Sequence, residues 1–265
     1  MGAIVVMVCR NRAKGQAAQA EIKAESSNDQ VDLIIADLSL LSEVRRAASS
    51  FKQKYTQLHV LIHNAGTING ERKVTPDGLE DTFATNYLAP FLLTELLLDV
   101  LKASAPARIV NVSSSGHTTG NIDFEDLQGV HRYSFMKAYT QSKLAQIYFT
   151  YELAAQLKGS GVTVNALHPG LVSSDFNKGT KGLAHFIGEV VYFFRGITVE
   201  KGAQTTLYVA TSLEVEGVSG KYFSQSKETP SSKLSYDLAI RQRLWQVSEE
   251  LIQQNELSHL LAENR

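Results

Sequence analysis

Residues 109–115 read Ile-Val-Asn-Val-Ser-Ser-Ser. A largely β-branched run stops on a row of small hydroxyls, as a buried strand does when it leaves a sheet for a polar loop. Upstream lies a long stretch of helical period, about Gly78 to Lys102; downstream, Ala138–Leu157 has the same period and Val162–Leu167 is again a strand, ending at His168-Pro169-Gly170. The pattern holds further out. Ile4–Val8 reads as a strand, Arg12–Glu25 as a helix, Val31–Ile35 as a strand ending in Ala36-Asp37-Leu38, and Leu41–Lys54 as a helix. Val60–Ile62 is a short strand running into His63-Asn64-Ala65-Gly66. Ala203–Ser212 reads as a helix, Tyr222-Phe223 as part of a last strand, and Tyr236–Asn255 as a closing helix. Alternation of this kind needs crossover connections, which imply a mostly parallel sheet with helices on both faces. The near-continuous apolar strands fit burial on both faces. No repeat, low-complexity tract or linker interrupts the pattern, so residues 1–265 are expected to form one doubly wound, three-layer α/β/α domain.

Composition narrows the function classes. A net charge of -1 gives no electrostatic reason to expect nucleic acid or an acidic membrane as partner. Cys9 is the only cysteine, so no internal disulfide can form, which fits a reducing, cytoplasmic compartment. The seven histidines lack metal-ligand spacing, and no metal is expected. No segment reaches the roughly 18–20 uninterrupted apolar residues of a membrane span. The apolar Met1–Val8 reads as a strand rather than a leader. Asn111-Val112-Ser113 fits a glycosylation pattern but sits at a buried strand end, and no Gly-x-Ser-x-Gly of a serine hydrolase is present.

In a parallel sheet, ligands sit beyond the carboxyl ends of the strands. The residues there are Cys9-Arg10-Asn11, Asp37-Leu38, Asn64-Ala65-Gly66, Ser113-Ser114-Ser115 and His168-Pro169-Gly170. Tyr139 and Lys143 lie four apart on a predicted helix, hence on one face. A phenol has an ordinary pKa of about 10, too high for a base near neutrality, and a neighbouring ammonium favours the phenolate. A second Tyr-x-x-x-Lys, Tyr133 to Lys137, lies in a loop-like stretch before the helix begins and is discounted. A hydroxyl from Ser113-Ser114 could bond a substrate carbonyl oxygen as negative charge develops on it.

These pieces occur together and in order: Asn-Ala-Gly at 64–66, Asn86 within Thr85-Asn86-Tyr87-Leu88, Val-Asn-Val-Ser-Ser at 110–114, Tyr139-x-x-Ser142-Lys143, and Pro169-Gly170. The set resembles the short-chain dehydrogenase/reductase family across nearly the whole chain, and so implies a Rossmann-like fold. Ser113 through His117, Asn121–Leu127, Tyr139–Leu144 and Val164–Leu171 look like its retinol dehydrogenase-like branch. The resemblance implies Tyr139 as general acid in carbonyl reduction and base in alcohol oxidation. Lys143 would lower its pKa and hold the nicotinamide ribose, and Ser114 would orient the substrate oxygen. Asn86 would help position Lys143 through a water relay. Asn64, Ala65 and Gly66 would line the cofactor, Asp37 and Leu38 border the adenine, and Pro169 and Gly170 pack near the nicotinamide. His63 departs from the usual Asn-Asn-Ala-Gly but leaves Asn64 in place.

Arg10, with Lys14 one turn later, stands where an acidic residue would select NAD. A guanidinium there suits a 2′-phosphate, so NADP(H) is expected in preference to NAD(H); the competing reading is a solvated surface charge. The family's Gly-x-x-x-Gly-x-Gly fingerprint, which holds the pyrophosphate, is not found; Gly116 and Gly120 match part of it but belong to the serine loop. By the resemblance, Met1–Val8 is therefore the family's second strand and the first strand-helix unit is missing. Weak cofactor binding and reduced stability are expected, with the missing strand's neighbours, the family's second and fourth strands, either pairing directly or keeping an open edge. Gly182–Phe194 and Ile197 fall where the family builds its substrate lid, with Phe186, Ile187, Val190, Val191, Tyr192, Phe193 and Phe194 as pocket-lining candidates. The closing helix carries an apolar face for the domain or for a second subunit, which leaves a homo-oligomer open. The expected function is interconversion of an apolar alcohol with its aldehyde or ketone (a retinoid-, lipid- or steroid-like small molecule). The alternative is a non-catalytic scaffold of the same fold, favoured by the missing glycine loop and opposed by the intact Ser114, Tyr139 and Lys143.

Overall fold

The computed structural model describes residues 2–170 and 198–263; the lid candidates from Phe186 to Ile197 lie outside them. The strands are β1 (Val5–Cys9), β2 (Val31–Ile35), β3 (Val60–His63), β4 (Ala107–Val112), β5 (Val162–His168), β6 (Lys221–Ser224) and the two-residue β7 (Lys227–Glu228). The helices are α1 (Arg12–Ser26), α2 (Leu41–Lys54), α3 (Asp81–Phe83), α4 (Ala89–Ala103), α5 (Phe135–Gln156), α6 (Val199–Thr211) and α7 (Leu238–Glu263). α3 and α4 are joined by a π-helical turn, Ala84–Leu88. The helix expected from about Gly78 to Lys102 starts instead at Asp81, with Glu80 as its cap, and runs to Ala103 as one rod with a wide turn in it.

The sheet is parallel as expected, with β7 antiparallel at its edge, and it comes in two pieces. β3-β4-β5-β6-β7 form one sheet and β1-β2 a separate pair. β1 and β3, the neighbours expected either to pair or to keep an open edge, keep the edge. Val5 and Ile62 are accordingly 40% and 41% exposed. The two pieces share one core, because Val6, Ile34, Leu38 and Leu61 pack on a cluster that contains Leu41, Val44, Leu101 and Ile109.

β4 shows why its sequence is largely apolar. Ile109 faces the cluster under α4 and α5, while Val110 and Val112 face a second cluster with Val209 and Ala210 of α6. Helices on both faces remove all of this strand but Arg108 from water. α7 packs on its own domain: Trp245 lies 4.7 Å from Phe91 and 5.9 Å from Phe149 between ring centroids, and Tyr87 Oη is 2.8 Å from Ser248 Oγ.

Candidate active site

Because the strands of β1 through β6 are parallel, their carboxyl ends share one edge. β4 delivers Ser113 and Ser114 there. Ser113 is buried; its N–H donates to Leu167 O (2.8 Å) and its hydroxyl to Lys143 O (2.8 Å), which ties the strand end to α5. Ser114 is half-buried and caps the short 3₁₀ helix Ser115–Thr119, its Oγ accepting from Gly116 N–H at 3.1 Å. That bond uses an oxygen lone pair and leaves the hydroxyl proton for another acceptor.

The serine loop lies directly on α5. A Cβ on Gly116 would stand 3.3 Å from Tyr139 Cε1 and 3.5 Å from Ser114 Oγ, so ring and hydroxyl border the same point in space. A Cβ on Gly120 would fall 2.5 Å from Thr140 O, closer than any real side chain comes. These two glycines, spaced like part of a phosphate-binding fingerprint, instead allow loop and helix to touch.

α5 begins at Phe135 with Ser134 as its cap, so Tyr139 and Lys143 fall on successive turns and Tyr133 lies just outside. Lys143 is buried; its Nζ lies 5.9 Å from the centre of the Tyr139 ring and donates to Val112 O (3.0 Å) and Gln146 Oε1 (3.1 Å). An ammonium has three protons, so these bonds leave one N–H for a ligand oxygen. Burial pushes the Lys143 ammonium down to about 8. The discounted pair is held elsewhere: Tyr133 Oη donates to Asn69 O at 2.8 Å, Lys137 Nζ is 2.7 Å from Asp123 Oδ2, and burial raises the Tyr133 phenol to about 12.

Asn86 is fully buried in the π-helical turn. Its Oδ1 accepts from Thr67 N–H (2.7 Å), and its Nδ2 donates to Thr67 O (3.0 Å) and Ser142 Oγ (2.9 Å). The side chain thus fastens the Asn64-Ala65-Gly66 loop to α5 and makes no direct bond to Lys143. Asn64 and Ala65 are exposed beyond β3, and Gly66 is half-buried. His63 is buried behind them. Thr94 Oγ1 donates to Pro90 O, so it accepts from His63 Nε2–H at 2.8 Å, and burial pushes His63 down to about 3.

At the far end of the edge, the Arg10 side chain is 74% exposed and its NH1 is 3.5 Å from Asp37 Oδ2. Asp37 Oδ1 accepts from Ser39 N–H and Oγ–H at 3.1 and 2.8 Å. Leu38 turns into the core. Pro169 and Gly170 are half-buried after β5, Gly170 with φ 91°. The strand-end residues named from sequence thus lie at the carboxyl ends of the strands, while Tyr139 and Lys143 come from α5 and Asn86 from the π-helical turn. Two that the motifs did not assign stand beside them. His168 Nδ1 accepts from Ser115 N–H at 3.2 Å. Gln146 holds Lys143, and its i+3 spacing on the helix is the one signal that could have revealed it.

This edge brings together the Tyr139 phenol, the buried Lys143 ammonium and the Ser114 hydroxyl. A family model described as short chain dehydrogenase matches residues 1–182. Retinol dehydrogenase 12 of Mus musculus is 43% identical over 251 residues, covering 95% of this chain and 79% of its own. Polyprenol dehydrogenase of Homo sapiens is 38% identical over 257 residues, covering 95% of this chain and 78% of its own. Among solved structures, the NADPH-bound carbonyl reductase from chicken fatty liver aligns with a TM-score of 0.61 at 26% identity, over 86% of this chain and 87% of that one. The chain belongs to the short-chain dehydrogenase family, and is an oxidoreductase of the retinol dehydrogenase-like kind.

Proposed function

We propose that this protein interconverts an apolar alcohol and its aldehyde or ketone with NADP(H), using Ser114, Tyr139 and Lys143. The observation that carries the reading is the convergence of Ser114 Oγ and the Tyr139 ring on one point, with the Lys143 ammonium 5.9 Å from that ring. The relatives named for retinol and polyprenol support a long apolar alcohol as substrate, and the NADPH-bound carbonyl reductase supports the choice of cofactor.

The residues present suit a dinucleotide. Lys143 keeps one N–H for ribose hydroxyls, Asn64, Ala65 and Gly66 offer backbone and a small surface, and Asp37 and Leu38 border the adenine end. Arg10 reaches from the same edge with a charge suited to a 2′-phosphate, and Pro169 and Gly170 would flank the nicotinamide. When bound, the nicotinamide supplies or accepts the hydride. The protein handles the proton. In carbonyl reduction Tyr139 Oη gives its proton to the substrate oxygen, while Ser114 Oγ–H donates to that same oxygen as negative charge grows on it. The Lys143 ammonium favours the phenolate that Tyr139 becomes. Alcohol oxidation runs the same proton path backwards. Asn86 keeps the cofactor loop against α5, and the water relay from Asn86 to Lys143 belongs to the same proposal.

Cytoplasmic placement is part of this reading. Among the described residues, one helical stretch, Asp81–Ala103, is long and apolar enough to cross a membrane, and 67% of it is buried within the fold. The direct test is turnover of a retinoid aldehyde and of shorter apolar aldehydes with NADPH and with NADH. Faster turnover with NADPH and with the longer apolar substrates is expected. A folded protein that turns over none of them with either cofactor would leave the scaffold reading in place.

A further inference from the structure

His117 belongs to none of the roles above, yet it is 1% exposed directly behind the serine loop. Its backbone N–H donates to Ser114 O at 3.2 Å, and its ring Nδ1 lies 2.6 Å from the same oxygen. A carbonyl oxygen can only accept, so Nδ1 carries the proton. On the other side, Ser232 N–H donates to Nε2 at 3.1 Å, so Nε2 presents its lone pair. The two partners together fix the neutral Nδ1–H tautomer. Burial holds the ring below the ordinary histidine range, in keeping with that tautomer. The Tyr222 ring packs on it at 4.8 Å.

Ser232 is itself held in an oriented chain. Ser235 Oγ–H donates to Ser232 O at 2.6 Å. Ser235 Oγ therefore accepts from Ser231 Oγ–H (2.6 Å), and Ser231 Oγ in turn accepts from Tyr151 Oη–H (2.6 Å). Tyr148 Oη donates to Leu234 O at 2.6 Å, a second tie between α5 and this segment. The segment before α7 is thus fastened to α5 at Tyr148 and Tyr151, and among the described residues its bond to the serine loop passes through the His117 ring.

We infer that His117 is a positioning residue for Ser114: it carries the placement of the Ser231–Ser235 segment, 115 positions away in sequence, into the backbone that aims the serine hydroxyl. This rests on the reading that Ser114 orients the substrate oxygen. The Nδ1 bond fixes the Ser114 carbonyl, which with the Gly116 N–H bond to Oγ sets the direction of the remaining hydroxyl proton. Such a role needs a donor at the Nδ1 position. An acceptor at Nε2 alone would brace the C-terminal segment without aiming the serine.

Asparagine and glutamine separate the two functions, because their amides approximate the Nδ1 and Nε2 positions respectively. H117F is expected to lower kcat about tenfold or more, as a small misplacement of a reacting group does, with little change in cofactor KM. H117N should recover most of that loss and H117Q little of it, whatever their order in Tm. In an S114A background H117F should bring no further loss of kcat, since its effect runs through the missing hydroxyl. Equal rescue by H117Q, or an undiminished H117F effect on top of S114A, would overturn the proposal. If S114A alone leaves kcat unchanged, the role of Ser114 fails and the proposal falls with it, a result readable without touching His117. Should H117F not fold, the H117N and H117Q pair decides. Independently of activity, the ¹⁵N chemical shifts of the His117 ring must show a protonated Nδ1 and a bare Nε2; the opposite tautomer would also overturn it.

Discussion

β4 and β1 are both parallel strands that deliver site residues to the same edge, and they are built to opposite standards. Every residue of β4 but Arg108 is buried, while no residue of β1 is. β4 has β3 and β5 on its two sides and helices on both faces; β1 has only β2 beside it. The groups proposed for proton transfer hang from the first region through several buried hydrogen bonds. Arg10 and Asp37, proposed for the cofactor's adenosine end, follow β1 and its partner β2; Ser39 holds Asp37, and Arg10 is tied to it by one loose ion pair. Proton transfer depends on positions held to fractions of an ångström. A long, mobile guanidinium reaching for a phosphate tolerates a softer mount.

If the catalytic region has been assigned correctly, Y139F should lower kcat about a hundred- to ten-thousandfold while leaving Tm and circular dichroism unchanged. A loss under threefold would move the chemistry away from α5. In stability, I109A in β4 should cost about 2–5 kcal/mol in urea unfolding and V5A in β1 less than about 1. Equal costs would erase the contrast between the strands.

A third test concerns His63, at the end of β3 on the border between the two regions. Its folded-state pKa is depressed to about 3, so the unfolded chain takes up a proton below the ordinary 6.5 that the folded protein refuses. Stability is therefore present above 6.5 and falls as pH drops towards 3. H63N should remove up to about 1.4 kcal/mol per pH unit of that slope, measured by urea unfolding between pH 6.5 and 4. An unchanged slope would mean that the imidazole protonates in place. The smallest effect is expected at the soft end: R10A should weaken NADPH binding about tenfold in calorimetry and leave NADH binding alone. Equal loss for both cofactors would make Arg10 a general surface charge.

Much of the site was legible because its signals are local. The i,i+4 spacing of Tyr139 and Lys143 already puts them on one face, and the helix start at Phe135 explains why Tyr133 and Lys137 are not a second such pair. The polar tripeptides after the apolar runs mark the edge because a parallel sheet sends all its carboxyl ends one way. Asn86 was recognisable only as part of a family pattern. Its actual partners, Thr67 and Ser142, are 19 and 56 positions away, and no periodicity announces a hydrogen bond of that span.

The sequence by itself determined the alternation of strand and helix, the parallel sheet, and the residues offered at its edge, since each follows from patterns a few residues long. Tertiary structure alone decided that the sheet divides between β1 and β3, that α7 covers its own domain, and that Gly116 and Gly120 serve close packing rather than a phosphate. It also decided that His117 bridges Ser114 to Ser232. Each of these depends on which surfaces meet in space, and a meeting of distant segments is set by the sum of all packing choices rather than by any local run of residues.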